Sequence, residues 1–433
     1  MARTVAVPDV PGVAEAIRSR DPVACATRVA ALLASGADPT DVVRTAALES
    51  ARHFRPGLPA PQALPALGAA LDLAAKTEPK ALPIAQACAL AASEWRPERL
   101  AAPGHAIAGD ELHLARSFLE SVRAANVAEA DAILTGLLRE GDERRLAADA
   151  LFEAAARDSA GQAQKLAFTV GCWRLARGLG WRSGADLLRP AVHILAATPQ
   201  EFTEHGDVLR EVGRARLDLE LAARNTAPVD AAGRNLFLSA LAAGPDRVVA
   251  DLVAGLKRGR SPASYADLVA ATAAERFLGR PEAGRVALRA LATRFVVGSS
   301  RTSSHLLALL AAARDLAQVF DAHVPSPARI TDPEGALREL GVAIEAREPE
   351  NAAALAMGLA DVVEAREVER VLARAAAVED ATADGGFRLV YASWAFELAA
   401  GKDRVESAIA YGSVAAMLAR AHTPRTVAAA LGL

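Results

Sequence analysis

Imidazole set beside carboxylate is the ligand combination of zinc, manganese and non-haem iron sites, and also a common acid–base couple. This chain repeats that pairing where it leaves its apolar stretches. One exit reads Gly104-His105-Ala-Ile-Ala-Gly-Asp110-Glu111-Leu-His113, and another reads Glu201-Phe-Thr-Glu204-His205-Gly-Asp207. In a helix, Glu201 and His205 would share one face at i,i+4 spacing. The chemistry implied is a non-haem metal held by His105, His113, Glu201 and His205, or an imidazole base oriented by Asp110. His323 and His422 mark two further exits. The competing reading is solvated surface histidine, because the two exits do not share one ligand spacing and loops are polar by default.

A second set falls at the polar ends of Ala-rich runs: His53 in LESARHF, Asp158 in FEAAARD, Arg276 in ATAAERF and Asp380 in RAAAVED. Gln162, Gln164 and Lys165 follow Asp158, while Asp384, Arg388 and Tyr391 follow Asp380. Aligned, these ends would form a polar ligand groove; singly, the carboxylates would cap the next helix. Asp158 joins His105, Asp110, His113 and His205 as a catalytic candidate. The hydroxyl-rich run from Gly298 to His305 predicts an anion cradle around Arg301, or a linker ending in a Ser304 N-cap. His193, in LLRPAVHILAA, reads as a core histidine. No GxxxxGKS/T, strand-linked GxGxxG, GxSxG, HExxH or CxxC occurs, so no nucleotide-cofactor motif is present.

Positioning these residues falls to a repeated helical pattern. Asp21-Pro22, Asn126-Val127, Gly244-Pro245 and Glu348-Pro349 are helix starts, some with a capping side chain and Pro at the first position. Each leads to a small residue before Leu: Ala31-Leu32, Gly136-Leu137, Gly255-Leu256 and Gly358-Leu359, standing 105, 119 and 103 positions apart. Another 22 positions on from Ala31, Gly136 and Gly358 lie His53, Asp158 and Asp380. The third copy is one residue shorter, at Lys257–Gly259, which makes Arg276 its equivalent. A further helix follows in each, with Trp173 and Trp394 at like places as packing anchors between copies. The expectation is an all-α chain of four divergent modules of about a hundred residues, at 12–100, 115–200, 233–325 and 335–425. They would stack as an α-solenoid or as two bi-modular halves, each module covering its apolar face against a neighbour.

Composition agrees with helices. Apolar residues make up 52% of the 433, chiefly Ala and Leu, and aromatics only 4%, a bias toward helix and away from strand. A net charge of −3 offers no footprint for nucleic acid. The basic cluster Lys257-Arg258-Gly259-Arg260 reads as a solvated loop. Cys25, Cys88 and Cys172 are far apart in apolar segments and read as buried thiols, not a disulfide framework or zinc site. No apolar run reaches the ~18 residues of a membrane span, and MARTVAVPDVPG lacks a signal peptide's apolar core. A cytoplasmic protein with no membrane or nucleic-acid partner is expected.

The run LLASGADPTDVVRTAALESARHF with ALGAALDLA, and Asp158 with LARGLGW and LLRPAVHILA, resemble a loosely defined group of bacterial helical-repeat proteins, some carrying a Rieske-type iron–sulfur domain. They also resemble the questin-oxidase-like family of natural-product pathways. The resemblance covers mainly the first two copies. It implies a helical fold, an oxidoreductase-like role and a Gly-His pair just after the helix-end Asp. Gly161-Gln162 and Gly386-Phe387 stand in those places, so the histidine is missing, as are the Cys and His pairs of a Rieske cluster. Two functions follow as expectations. One is a helical-repeat binding or scaffold protein, using an inter-module groove for a partner, a peptide or a small apolar ligand. The other is an oxidoreductase-like or tailoring enzyme with a His/carboxylate site between modules.

Overall fold

The computed structural model describes residues 10–102, 105–107, 109–138, 144–158, 160, 164–181, 183–201, 206–300, 302–319, 323–400, 404–421 and 423–433. Among them no β-sheet forms, and the fold is all-α. A first set of helices comprises α1 (Val13–Arg18), α2 (Pro22–Ala34), α3 (Pro39–Arg52), α4 (Ala63–Ala74) and α5 (Ala81–Glu94). A second comprises α6 (Glu111–Arg123), α7 (Val127–Leu137), α8 (Arg144–Arg157), α9 (Gln164–Gly178) and α10 (Gly184–Ala197). After the short α11 (Gly206–Ala215) and α12 (Leu219–Ala222) come α13 (Ala231–Ala243), α14 (Pro245–Lys257), α15 (Pro262–Gly279), α16 (Gly284–Ser299) and α17 (Ser304–Leu316). The last set is α18 (Pro333–Glu345), α19 (Pro349–Leu359), α20 (Ala365–Val378), α21 (Phe387–Ala399) and α22 (Arg404–Arg420), followed by α23 (Thr426–Ala430).

The starts are set by local chemistry. The Asp21 carboxylate accepts the N–H groups of Val23 and Ala24 at 3.0 Å, and Pro22 occupies the first helical position, where no N–H is needed. Asp38 with Pro39 and Ser261 with Pro262 repeat that device at α3 and α15. The small residue before Leu also has a cause in two sets. A Cβ on Gly136 would lie 2.0 Å from the Ile107 carbonyl oxygen, and one on Gly358 would lie 2.2 Å from that of Ala328. The incoming extended segment thus crosses directly over α7 and over α19, donating Ile107 N–H to Ala132 O and Ala328 N–H to Ala354 O.

Packing within the four sets follows one scheme. In each, the first helix packs on the second, the second on the fifth, and the third, fourth and fifth on one another. Between sets the scheme is also regular. The fourth helices touch in the order α4–α9, α9–α16, α16–α21 and α21–α4. The third helix of each set packs on the fifth of the next: α3 on α10, α8 on α17, α15 on α22, and α20 on α5. The last set therefore returns to the first, and α23 completes the join by lying on α2 and α5. Val427 packs there with Ala26, Ala85 and Ala89. The helices close into a ring, not an open solenoid or two separate halves; one hydrophobic cluster runs from Val13 to Ala419 through all four sets.

Small residues let the inner helices approach. A Cβ on Gly171 of α9 would stand 2.7 Å from Pro65 on α4, and one on Gly68 would stand 3.3 Å from the Leu175 Cβ. The C-terminal end of the inner ring is sealed by Arg174. Its guanidinium pairs with Asp72 of α4 and Glu397 of α21, and lies 5.5 Å from the Phe295 ring of α16 and 5.3 Å from that of Trp394. Ser393 donates to the same Asp72 at 2.7 Å. Trp173 packs on Phe152 and Trp181 of its own set.

Candidate functional site

The opposite, N-terminal end of the inner ring is open. The four inner helices begin around a cavity of about 600 Å³, within the range of small-molecule sites. The first set contributes the Pro- and Gly-rich loop Arg55–Gln62 with Glu94 and Arg96; the second contributes Gln164 and Ala167 from the start of α9. Arg285, Leu288 and Arg289 come from one face of α16, and Asp384, Gly385 and Phe387 from the entry to α21. Each inner helix directs the positive end of its backbone dipole toward this mouth. Gly386, at φ 77°, allows the sharp turn into α21, and a Cβ there would meet Leu90 at 2.8 Å and Ala66 at 2.9 Å.

Two carboxyls in the wall are already engaged. Glu94 accepts the N–H groups of Gln62 and Ala63, each at 2.9 Å, capping α4 from a neighbouring helix. Burial pushes its carboxyl up to about 7 against the pull of those two donors. Asp384 accepts from Gly386 N–H at 3.0 Å and Arg388 N–H at 3.1 Å, and burial raises its carboxyl as well. Arg96 donates to the carbonyls of Ser93 and Trp95. Arg289 is half-buried and pairs with Asp315, yet its Nε is enclosed with no hydrogen-bond partner among the described residues. Burial lowers this guanidinium to about 10.

No protein-family model, curated protein or solved structure matches this chain. What it does must therefore be argued from where its own residues stand.

The helix-end residues mostly serve as ties. Asp158 and Lys165 are fully buried and paired; Asp158 also accepts the N–H groups of Ala160 and Glu201 at 3.0 Å, and Lys165 donates to Pro199 O at 2.8 Å. Asp380 accepts from the N–H groups of Thr426 and Val427 at 3.0 Å, capping α23. His53 meets the Arg96 carbonyl at 3.0 Å through Nδ1 and lies beside Glu49 and Trp95. In three sets, then, the residue just past the third helix fastens a segment more than forty positions later. Arg276 departs from this, because α15 runs on to Gly279 and leaves it inside the helix, partly buried. Arg388 is enclosed among Glu379, Asp384 and the Asp380 carbonyl, and Tyr391 is buried against Ser413 at 2.9 Å. None of these lines the cavity; their neighbours Gln164 and Asp384 do. Gln162 lies outside the described residues.

The described exit histidines, His105, His113 and His323, lie apart on the surface. His105 and His113 are exposed, and Asp110 caps α6 by accepting His113 N–H at 3.0 Å. Glu201 is exposed, with its N–H held by Asp158. His205 and His422 lie outside the described residues; His323 is exposed. Among the described residues no three His, Cys, Asp or Glu side chains are grouped to hold a metal. In the hydroxyl-rich run, Ser300 donates to Asp149 at 2.6 Å and Ser303 to Glu220 at 2.7 Å, so these hydroxyls are taken up by the protein's own carboxylates. Arg301 lies outside the described residues, and Ser304 is the first residue of α17, not its cap. His305 is buried, its imidazole pushed down to about 4 by desolvation. His193 is half-buried and likewise lowered.

The remaining polar clusters are structural. Lys257 donates to Ala215 O at 2.7 Å and Arg260 to Pro228 O at 2.6 Å, tying down the stretch before α13. Cys25, Cys88 and Cys172 are buried free thiols, with burial raising each. A surface hollow of about 510 Å³ between α11, α14 and α17 is also charged. Its Arg210 and Arg314 pair with Asp207, and Arg214 pairs with Glu211. No described helix is long and apolar enough to cross a membrane.

Proposed function

We propose that this is a binding protein, built from four copies of one five-helix unit, whose ligand is a small organic molecule held in the axial cavity. The observation that carries this reading is that residues from all four sets line one cavity, at the N-terminal ends of all four inner helices. A site at such a junction exists only when the ring is complete, so the closed arrangement itself makes it. The proposal replaces a groove between modules with an open-mouthed axial site for a small molecule, because the closed ring brings all four sets to that one mouth. Apolar walls from the proline-rich loop and Phe387, with a few fixed polar groups, match the make-up of ligand sites.

One observation favours a catalytic use of the same cavity. The Glu94 carboxyl titrates near neutrality in its wall, where such a group can exchange a proton with a bound molecule. Denaturing the purified protein and analysing the released small molecules by mass spectrometry tests the binding reading. A stoichiometric molecule whose yield falls in Leu288→Trp, which narrows the cavity, supports it. Retention of that molecule at undiminished yield and affinity in a folded Leu288→Trp protein refutes the assignment to this cavity. Chemical conversion of the molecule by wild type but not by Glu94→Gln would favour the enzyme.

A further inference from the structure

We draw no further inference here: the strongest candidate, the outer surface of α13, which packs chiefly on α14 and leaves Leu236 and Leu238 exposed, carries nothing because nothing in the structure shows what covers it.

Discussion

Replacing Lys165 by Met should be among the most damaging single changes in this protein, and the structure says why. Both Lys165 and Asp158 have side-chain exposures of 0%. Removing the ammonium leaves a carboxylate in the interior with, among the described residues, only the N–H groups of Ala160 and Glu201 as neutral donors. Stranding one member of a buried pair costs about 3–5 kcal/mol. Asp158→Asn strands the ammonium instead, with Pro199 O its remaining acceptor, and should cost a similar amount. The double variant Asp158→Asn/Lys165→Met strands no charge, so its loss should fall short of the sum of the singles by at least about 2 kcal/mol. Urea unfolding followed by tryptophan fluorescence supplies the three free energies, with unchanged slopes as the check on a common unfolded state. Additive losses, or a single-variant loss below about 1 kcal/mol, would show that Asp158 is not an anchored buried charge.

Three further outcomes follow from other parts of the ring. The folded protein holds a proton on Glu94 up to about pH 7, against 4.5 for the ordinary carboxyl, so its contribution to stability is complete below the lower value and is lost as pH rises through the upper one. Melting temperatures measured across that window should decline less steeply in Glu94→Gln than in wild type. On α9, Gly171→Ala should destabilise by about 1–3 kcal/mol through overpacking against Pro65. Gly178→Ala on the same helix meets nothing within 4 Å and should be neutral or stabilising by up to about 1 kcal/mol; equal melting temperatures for the two variants would refute the close α4–α9 approach. Finally, α1 and α23 both pack on α2 and α5. Joining the termini by a Gly/Ser linker and opening the chain between His323 and Val324 should therefore give a folded protein melting within a few degrees of wild type, whereas an open array would not tolerate that cut and join.

The helices were readable wherever a local signal sets them. Asp21-Pro22 and Asp38-Pro39 announce α2 and α3, and the spacing from Gly136 to Asp158 and from Gly358 to Asp380 reflects a shared backbone path in which the latter residues fasten later segments. The closure was not readable. It rests on pairs such as Ser393 with Asp72 and Ala381 N–H with Gln86, which join residues far apart in the chain and leave no periodic trace. The cavity escaped for a related reason. Arg285 and Arg289 look like any helix-surface arginines in the third copy, where the pattern is most disturbed, and only the ring shows that they face inward. His105, His113 and His323 lie on the surface, whereas the loop RPGLPAPQ at 55–62, rich in Pro and Gly, marks the mouth.

A ring has an order of manufacture that an open stack lacks. The first set of helices leaves the ribosome early, but the faces of α4 and α5 that α20, α21 and α23 will cover must wait for the last seventy or so residues. At roughly 5–20 residues per second, the whole chain takes on the order of half a minute to a minute and a half to make. Throughout most of that time Gln86, Leu90 and Ala66 have no partner across the final seam. A chain stopped short of its C-terminus is therefore not a slightly smaller version of this protein; it is one with its inner wall turned outward, and a substrate for chaperones and proteases.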